Sequence, residues 1–461
     1  MITSLRIQNF KGWKDTGPLK LAPITVFFGT NSSGKSSIGQ FLMMLKQTAD
    51  SSDRNRVLHP GDSKTPVDLG TFEDLMYKHD MKSELNFNIA WKHNQTLAIS
   101  DALNDTTVQG DSLSFSSTIG FENGKGIRAV CRQFQYDLFN GDHKSLSVSM
   151  RAKPKSGEFD LEAEGMKFVR RTGRPWPLPN PTRYFGFPDV MSSYYQNADA
   201  LNDLPFAMQS MVNNIAYLGP LREEPKRNYT WPGDKPDDVG SRGERWISAF
   251  LSASDRLLST GYKKKGLAFD RLIAQWLKEL GIIHSFEVSP VAKDLRDYRV
   301  RVQIKEGGSL VSIPDVGFGI SQVLPVVIES FYAPPHATVI IEQPELHLHP
   351  AVQQNLADLF IGATRSYEHG KPRDLQFIIE SHSEHFLRRL QRRVAEGTIP
   401  ADDLAVYFCD AGSEGSCMTP LKIDLFGNIT NWPTDFFGDQ MADVVEMQLA
   451  GNRRRKLEAT K

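Results

Sequence analysis

The chain has 461 residues, of which 40% are hydrophobic, 24% charged and 10% aromatic; this is too long for one small stapled module and apolar enough for a soluble globular protein of two or three lobes. Lys+Arg 54 against Asp+Glu 55 leaves a formal net charge of -1, which excludes a whole-molecule field drawing the chain to nucleic acid or anionic lipid. Cys131, Cys409 and Cys417 lack CxxC spacing, and no run approaches the ~18 apolar residues that cross a bilayer; a disulfide framework and membrane insertion are set aside, and a cytoplasmic location is expected.

Ser4–Ile7 alternates as a strand, and Ile24–Phe28 (ITVFF) is a β-rich run that ends in the loop GTNSSGKSS. Ile38, Phe41, Leu42 and Leu45 then recur at helical spacing across Ser36–Ala49. Gly29–Ser36 therefore satisfies GxxxxGK[ST] between a strand and a helix. In that setting the loop amides and the helix start converge on phosphate oxygens, Gly34 allows close backbone approach, Lys35 reaches the outer phosphates and the Ser36 hydroxyl ligates Mg²⁺. A strand–helix turn with chance glycines is the alternative.

Leu85–Glu164 changes to β-prone stretches between Asn, Asp, Gly and Lys turns, which predicts an antiparallel lobe. Arg174–Pro188, rich in proline and aromatics, reads as irregular, and Asp199–Asn214 as helical. Tyr217–Arg245 joins one apolar strand to a long polar Gly/Pro loop, either functional or a surface connection. Ile247–Leu280 reads as mainly helical, FEVSPV and YRVRVQI as strands, and strands and helices alternate from Asp315 to about Cys409. The expected organisation is a P-loop half (1–80), a β-rich insertion (81–215), a linking loop and helical lobe (216–310), a second half (311–410) and a C-terminal packing segment with a basic tail (411–461). In the last segment Trp432, Phe436 and Phe437 are expected to pack onto the body, and Arg453–Lys456 to be solvated.

Three further stretches carry chemistry. Asp315–Gln322 is a Gly-bearing turn that opens a helix and so accepts an anion. Strand Thr338–Ile341 runs into Glu342, an acid suited to the Mg²⁺ side of a nucleotide site. Strand Gln376–Ile379 ends in Glu380, Ser381 and His382, at the carboxyl edge where α/β sheets bind ligands, and His382 can donate to a γ-phosphate. Two alternatives stay open: His347, His349, His382 and His385 as a zinc site, and Arg388, Arg389, Arg392 and Arg393 as a DNA-facing patch.

The stretches IQNFKGWK, GTNSSGKSS, VGFGISQ, IIEQPELHLHP and IIESHSEHFLRRL, in this order, resemble the ABC-type P-loop ATPase heads of the SMC, RecF and OLD-like group, in particular compact prokaryotic AAA-family ATPases of anti-phage systems. The resemblance implies an α/β fold: an ABC-type head with a mixed sheet, a P-loop lobe, an antiparallel β insertion and a helical lobe. It implies ATP and Mg²⁺ as cofactors, nucleotide contacts from Gly29, Asn31, Ser32, Ser33, Gly34, Lys35, Ser36 and Ser37, and Asn9, Phe10 and Lys11 near base and ribose. Glu342 falls on the metal acid, His382 on the switch histidine and His349 where an acid is usual. Gly317, Gly319, Ser321 and Gln322 form the signature that acts in trans, with Gly317 in place of the usual serine and Ser321 as substitute.

Gln343 stands at the usual catalytic glutamate, and an amide orients water without serving as a base, so Glu345 is the alternative base and slow hydrolysis is expected. About 50 residues follow Cys409, too few for the nuclease domain of longer relatives. The implied function is an oligomerising switch with ATP sandwiched between heads, controlling a separate effector such as a nuclease in anti-phage defence. The alternative is a DNA-clamping repair ATPase of RecF-like type.

Overall fold

The structure, a computed structural model, describes residues 1–433 and 447–451, apart from 125, 154, 155, 157, 174, 175 and 294. The chain opens with β1 (Ile2–Phe10), β2 (Trp13–Asp15), β3 (Leu19–Lys20) and β4 (Ile24–Gly29), and continues into α1 (Lys35–Asp50). Long strands follow: β5 (Leu85–Asp101), β6 (Thr106–Asn123), β7 (Ile127–Asn140), β8 (His143–Ala152) and β9 (Phe159–Glu164). They form an antiparallel meander in the order β2-β1-β5-β6-β7-β8-β9.

Period-two alternation explains which face of this meander is buried. Phe87, Ile89 and Trp91 of β5 pair across to Ser117, Phe115 and Leu113 of β6, and Phe115 pairs to Tyr136 of β7. That face closes on α1, where Phe41 meets Phe10 and Phe87 edge-on at 5.2 Å each. The proline-rich stretch is irregular, as its composition predicts, yet it supplies Tyr184 and Phe185 to the same core. Tyr136 Oη donates to the Phe185 carbonyl at 2.8 Å, which satisfies a buried phenol. Because β1 pairs with β5, residues 1–80 and 81–215 share one sheet.

The second half adds α2 (Asp203–Asn213), β10 (Ile215–Leu218), α3 (Trp246–Ser252), α4 (Phe269–Glu279), β11 (Ser285–Pro290), β12 (Asp297–Gln303) and α5 (Phe318–Tyr332). Next come β13 (Thr338–Glu342), α6 (Pro350–Thr364), β14 (Gln376–Glu380), α7 (Glu384–Ala395), β15 (Leu404–Gly412) and β16 (Gly415–Leu421). A six-stranded sheet runs β10-β13-β14-β4-β15-β16, parallel except for the terminal hairpin. β10, β13, β14 and β4 are continuous runs buried on both faces. Phe27, Ile340 and Ile378 join the core under α1 and the meander, while Val26, Val339, Ile341 and Ile379 join the core beneath the later helices.

One expectation is corrected. Residues 247–280 are not mainly helical, because short strands Leu257–Ser259 and Leu267–Ala268 pair between α3 and α4. The intervening sequence, with Gly261, Gly266 and three lysines, breaks the apolar helical period. Among the described residues no helix is long and apolar enough to cross a membrane. Trp432 is stacked under Arg388, 5.1 Å from guanidinium carbon to ring centroid. Phe436, Phe437 and Arg453–Lys456 lie outside the described residues.

Glu329, on the buried face of α5, accepts the Val239 N–H at 2.9 Å and so ties the long 219–245 loop to this helix. Burial, reinforced by Asp238, pushes its carboxyl up to about 8. The folded protein therefore holds a proton that the unfolded chain releases near 4.5, and stability falls as pH rises from there to about 8. Glu329→Gln, which keeps an acceptor oxygen, is expected to flatten a slope of about 1.4 kcal/mol per pH unit in the unfolding free energy from denaturant melts across that window. Parallel pH profiles for the two proteins would contradict this.

Candidate nucleotide site

The carboxyl ends of the parallel strands meet at one edge of the sheet. In register, Glu342 lies opposite Glu380, Glu380 opposite Phe27, and Gly29 opposite Cys409. The loop leaving β4 takes positive φ at Gly29 (143°), Ser32 (61°) and Gly34 (87°) before α1 begins. A Cβ at Gly29 would sit 1.9 Å from the Cys409 carbonyl oxygen, and one at Gly34 would sit 2.7 Å from Ser416 Oγ and 2.9 Å from Trp13 Nε1. Glycine is thus required at both positions by conformation and by space.

Trp13, fully buried, donates its indole N–H to the Gly34 carbonyl at 3.1 Å and to Ser37 Oγ at 2.8 Å. Lys35 folds its ammonium back onto the Gly29 and Thr30 carbonyls at 3.1 and 2.6 Å and onto Ser33 Oγ at 3.4 Å. Burial lowers its pKa, opposed by the charges of Glu380 and Glu345. Asn31 and Ser32 are exposed on the loop, and Ser36 is half-buried at the helix start.

Facing the loop is a group of buried acids. Glu342 receives the Tyr217 hydroxyl at 2.9 Å. Burial and then Glu380 raise the Glu342 carboxyl to about 7, while Tyr217, Arg222 and Lys11 favour its ionised form. Glu345 accepts the His382 backbone N–H at 2.6 Å through one oxygen, and burial raises its pKa. The second oxygen of Glu345 and one oxygen of Glu380 are buried without a hydrogen-bond partner. Arg222 donates to the Glu342 and Gln343 carbonyls at 2.8 and 3.3 Å; burial lowers its pKa to about 10, so it is cationic at neutral pH. The exposed His382 ring is held below its usual pKa by loss of water on one side and by the Lys35 charge.

Several expected contacts are redirected. Phe10 falls on the buried face of β1, against Phe41, and offers no ring to a base. Asn9 donates to the Glu84 carbonyl and Lys11 to Gln40 Oε1, both at 2.8 Å. The Ser37 hydroxyl turns inward to Gly34 and Trp13. Ser321 donates to the Phe318 carbonyl at 2.8 Å, and both Ser321 and Gln322 are buried, because the helical period puts them on the core side of α5. Gly317 and Phe318 face outward, and a Cβ at Gly319 would lie 3.1 Å from the His347 carbonyl oxygen.

The two open alternatives fare differently from the acid cluster. His349 caps α6 by accepting the Ala351 N–H at 3.2 Å, and among the described residues no three His, Cys, Asp or Glu side chains are grouped to hold a metal. The four arginines of α7 are paired: Arg388 with Glu384, Arg389 and Arg393 with Asp358, and Arg392 with Glu396.

Sequence reasoning missed Trp13, Tyr217 and Arg222. The loop beginning YLGPLR was singled out without a role for any of its residues, and the lone tryptophan after FKG gave no chemical signal. The crowding at Gly34 leads to a prediction. Gly34→Ala should lower affinity for a fluorescent ATP analogue by about tenfold or more while the far-ultraviolet spectrum is preserved; unchanged affinity would contradict the reading of this turn.

Comparison with known families agrees with this geometry. A model described as an AAA ATPase domain matches residues 1–160, and one described as an AAA domain, putative AbiEii toxin, Type IV TA system, matches 213–388. A family of unknown function matches residues 399–447. The search of curated proteins finds no match. Among solved structures, an SMC head bound to the C-winged helix domain of ScpA is similar at 12% identity, covering 92% of this chain and 98% of that one with a TM-score of 0.40. The SMC head domain from Thermotoga maritima is similar at 10% identity, covering 92% and 99%, with a TM-score of 0.39. With models of AAA ATPase description on residues 1–160 and 213–388, which supply β4, β10, β13 and β14 of the parallel sheet, and a P-loop facing buried acids at its edge, the protein is a P-loop ATPase.

Proposed function

We propose that this ATPase is a cytoplasmic switch in which two heads close on ATP, each nucleotide lying between the P-loop of one chain and the start of α5 of the other. The closed form would control a separate effector, such as a nuclease, in anti-phage defence. One observation carries the reading: the P-loop and acids gather at one edge, while the Gly317–Gly319 turn, an anion-accepting helix start, presents Phe318 outward at 57% exposure. A toxin–antitoxin description for the family model over residues 213–388 supports the defence setting.

The residues present fit a magnesium ion, since one oxygen of Glu380, in register with Glu342 at the strand ends, is buried without a partner and is a donor of the hard-cation kind. Ser36 and Glu342 would hold it, and when bound it neutralises phosphate charge. The loop amides from Asn31 to Lys35 receive the phosphates, and the Lys35 ammonium leaves the Gly29 and Thr30 carbonyls to meet them. Glu345, held through one oxygen by the His382 N–H, offers the other as a proton acceptor, and burial, which raises its pKa, makes it the stronger base. Gln343 orients the water, and the His382 ring donates to the terminal phosphate. The RecF-like clamp draws no support from α7, whose arginines are engaged with acids.

Steady-state phosphate release should depend on Lys35: Lys35→Ala is expected to lower it by about 100-fold or more, and equal turnover would remove the P-loop from the reaction. Stimulation by duplex DNA would move the reading toward the clamp. Glu345→Gln should slow hydrolysis by about 100-fold and accumulate an ATP-bound dimer on size-exclusion chromatography; a variant that stays monomeric with ATP bound would count against the closed-head model. Turnover needs ionised Glu342 and should fall as pH drops through about 7. Tyr217→Phe removes a hydrogen bond that favours the carboxylate, so its acidic limb is expected at higher pH, and an unmoved limb would separate Tyr217 from this group.

A further inference from the structure

We infer that Arg222 is a positioning residue for the turn Gln343–Glu345, fixing the backbone from which the amide of Gln343 and the carboxylate of Glu345 are presented. This rests on the ATPase reading of the same site. Arg222 is 5% exposed, and its buried charge is held by bonds from both Nη groups, while its Nε is buried without a partner. Its Nη1 donates to the Pro220 carbonyl at 2.8 Å and the Gln343 carbonyl at 3.3 Å, and its Nη2 to the Glu342 carbonyl at 2.8 Å. One planar fork thus joins the loop after β10 to the turn after β13, a task that geometry reserves for arginine.

The turn needs holding. Gln343 has φ 46°, a left-handed conformation that a residue with a Cβ keeps only where its surroundings over-determine it. Its N–H donates to the Glu380 carbonyl at 2.8 Å, and its carbonyl also accepts the Leu346 N–H at 3.2 Å. The peptides on both sides of Gln343 are therefore clamped, and two residues on Glu345 meets the His382 N–H. The loop that delivers Arg222 is itself tied down, by Arg227 in a two-point ion pair with Asp315 at 2.9 and 2.7 Å and by Val239 on Glu329. Arg222 also sets a positive charge beside Glu342 and Glu345, which lessens the cost of burying them.

The test measures ATP turnover and MgATP affinity for wild type, Lys35→Ala, Arg222→Lys and Arg222→Gln, with thermal unfolding of each. Lys35-dependent turnover in wild type secures the underlying reading; its absence fails that reading independently of Arg222. Arg222→Lys keeps the charge and loses the fork, so kcat per nucleotide-bound head should fall by about 10- to 100-fold while MgATP affinity stays within about threefold. Arg222→Gln should fall at least as far. Wild-type kcat in the lysine variant, or a loss confined to MgATP affinity, would overturn the assignment. So would failure of both variants to fold, which would give Arg222 to the core instead.

Discussion

Buried carboxylates at the edge of a parallel sheet, Glu342, Glu345 and Glu380, are the constraint around which the rest of this molecule is arranged. Acids so placed repel one another and lose water, which is why Glu342 is pushed up to about 7. They are tolerated because Lys35 and Arg222 are buried against them and Tyr217 donates a hydrogen bond to one of them. The same balance explains why the site suits a cationic and phosphate-bearing ligand. Lys35 has provisional acceptors in its own loop, and oxygens of Glu345 and Glu380 are left without donors.

Topology brings these charges together. β4, from the first thirty residues, lies between β14 and β15, so the P-loop meets the acids only when distant parts of the chain complete one sheet. The alternation of side chains along β4 and β13 feeds two cores, one under α1 and the meander and one under the later helices. Each core therefore holds the strands whose ends carry the chemistry. Site geometry is a property of the whole fold, and the long loop 219–245, anchored at Asp315 and Glu329, links the acid turn to the helix that begins at Phe318.

What was legible in the sequence was what is local. GTNSSGKSS is contiguous, and TVIIE and QFIIE each end an apolar run in an acid, so period and spacing placed these stretches on a strand, a loop and a helix start before any contact was known. The phase of individual side chains at element ends was not legible. Phe10, Ser37, Ser321 and Gln322 all point inward because of where β1, α1 and α5 dock, and a shift of one residue at a helix start decides which face a hydroxyl joins. Trp13 and Arg222 stayed silent for another reason. Trp13 reaches the Gly34 carbonyl and the Ser37 hydroxyl, and Arg222 reaches the Glu342 carbonyl 120 residues away, and no spacing rule connects them.

The central claim is that a working site is completed by two chains, and complementation between two inactive variants tests it most directly. Lys35→Ala disables the P-loop. Gly317→Asp, at a position where an added Cβ meets nothing within 4 Å, leaves the fold unperturbed and sets a negative charge where the partner's phosphate would arrive. Each variant alone should be inactive, and mixing them should restore part of the wild-type phosphate release, because a mixed pair retains one intact site. A Gly317→Asp protein with full activity alone, or a mixture as inactive as its components, would contradict the account.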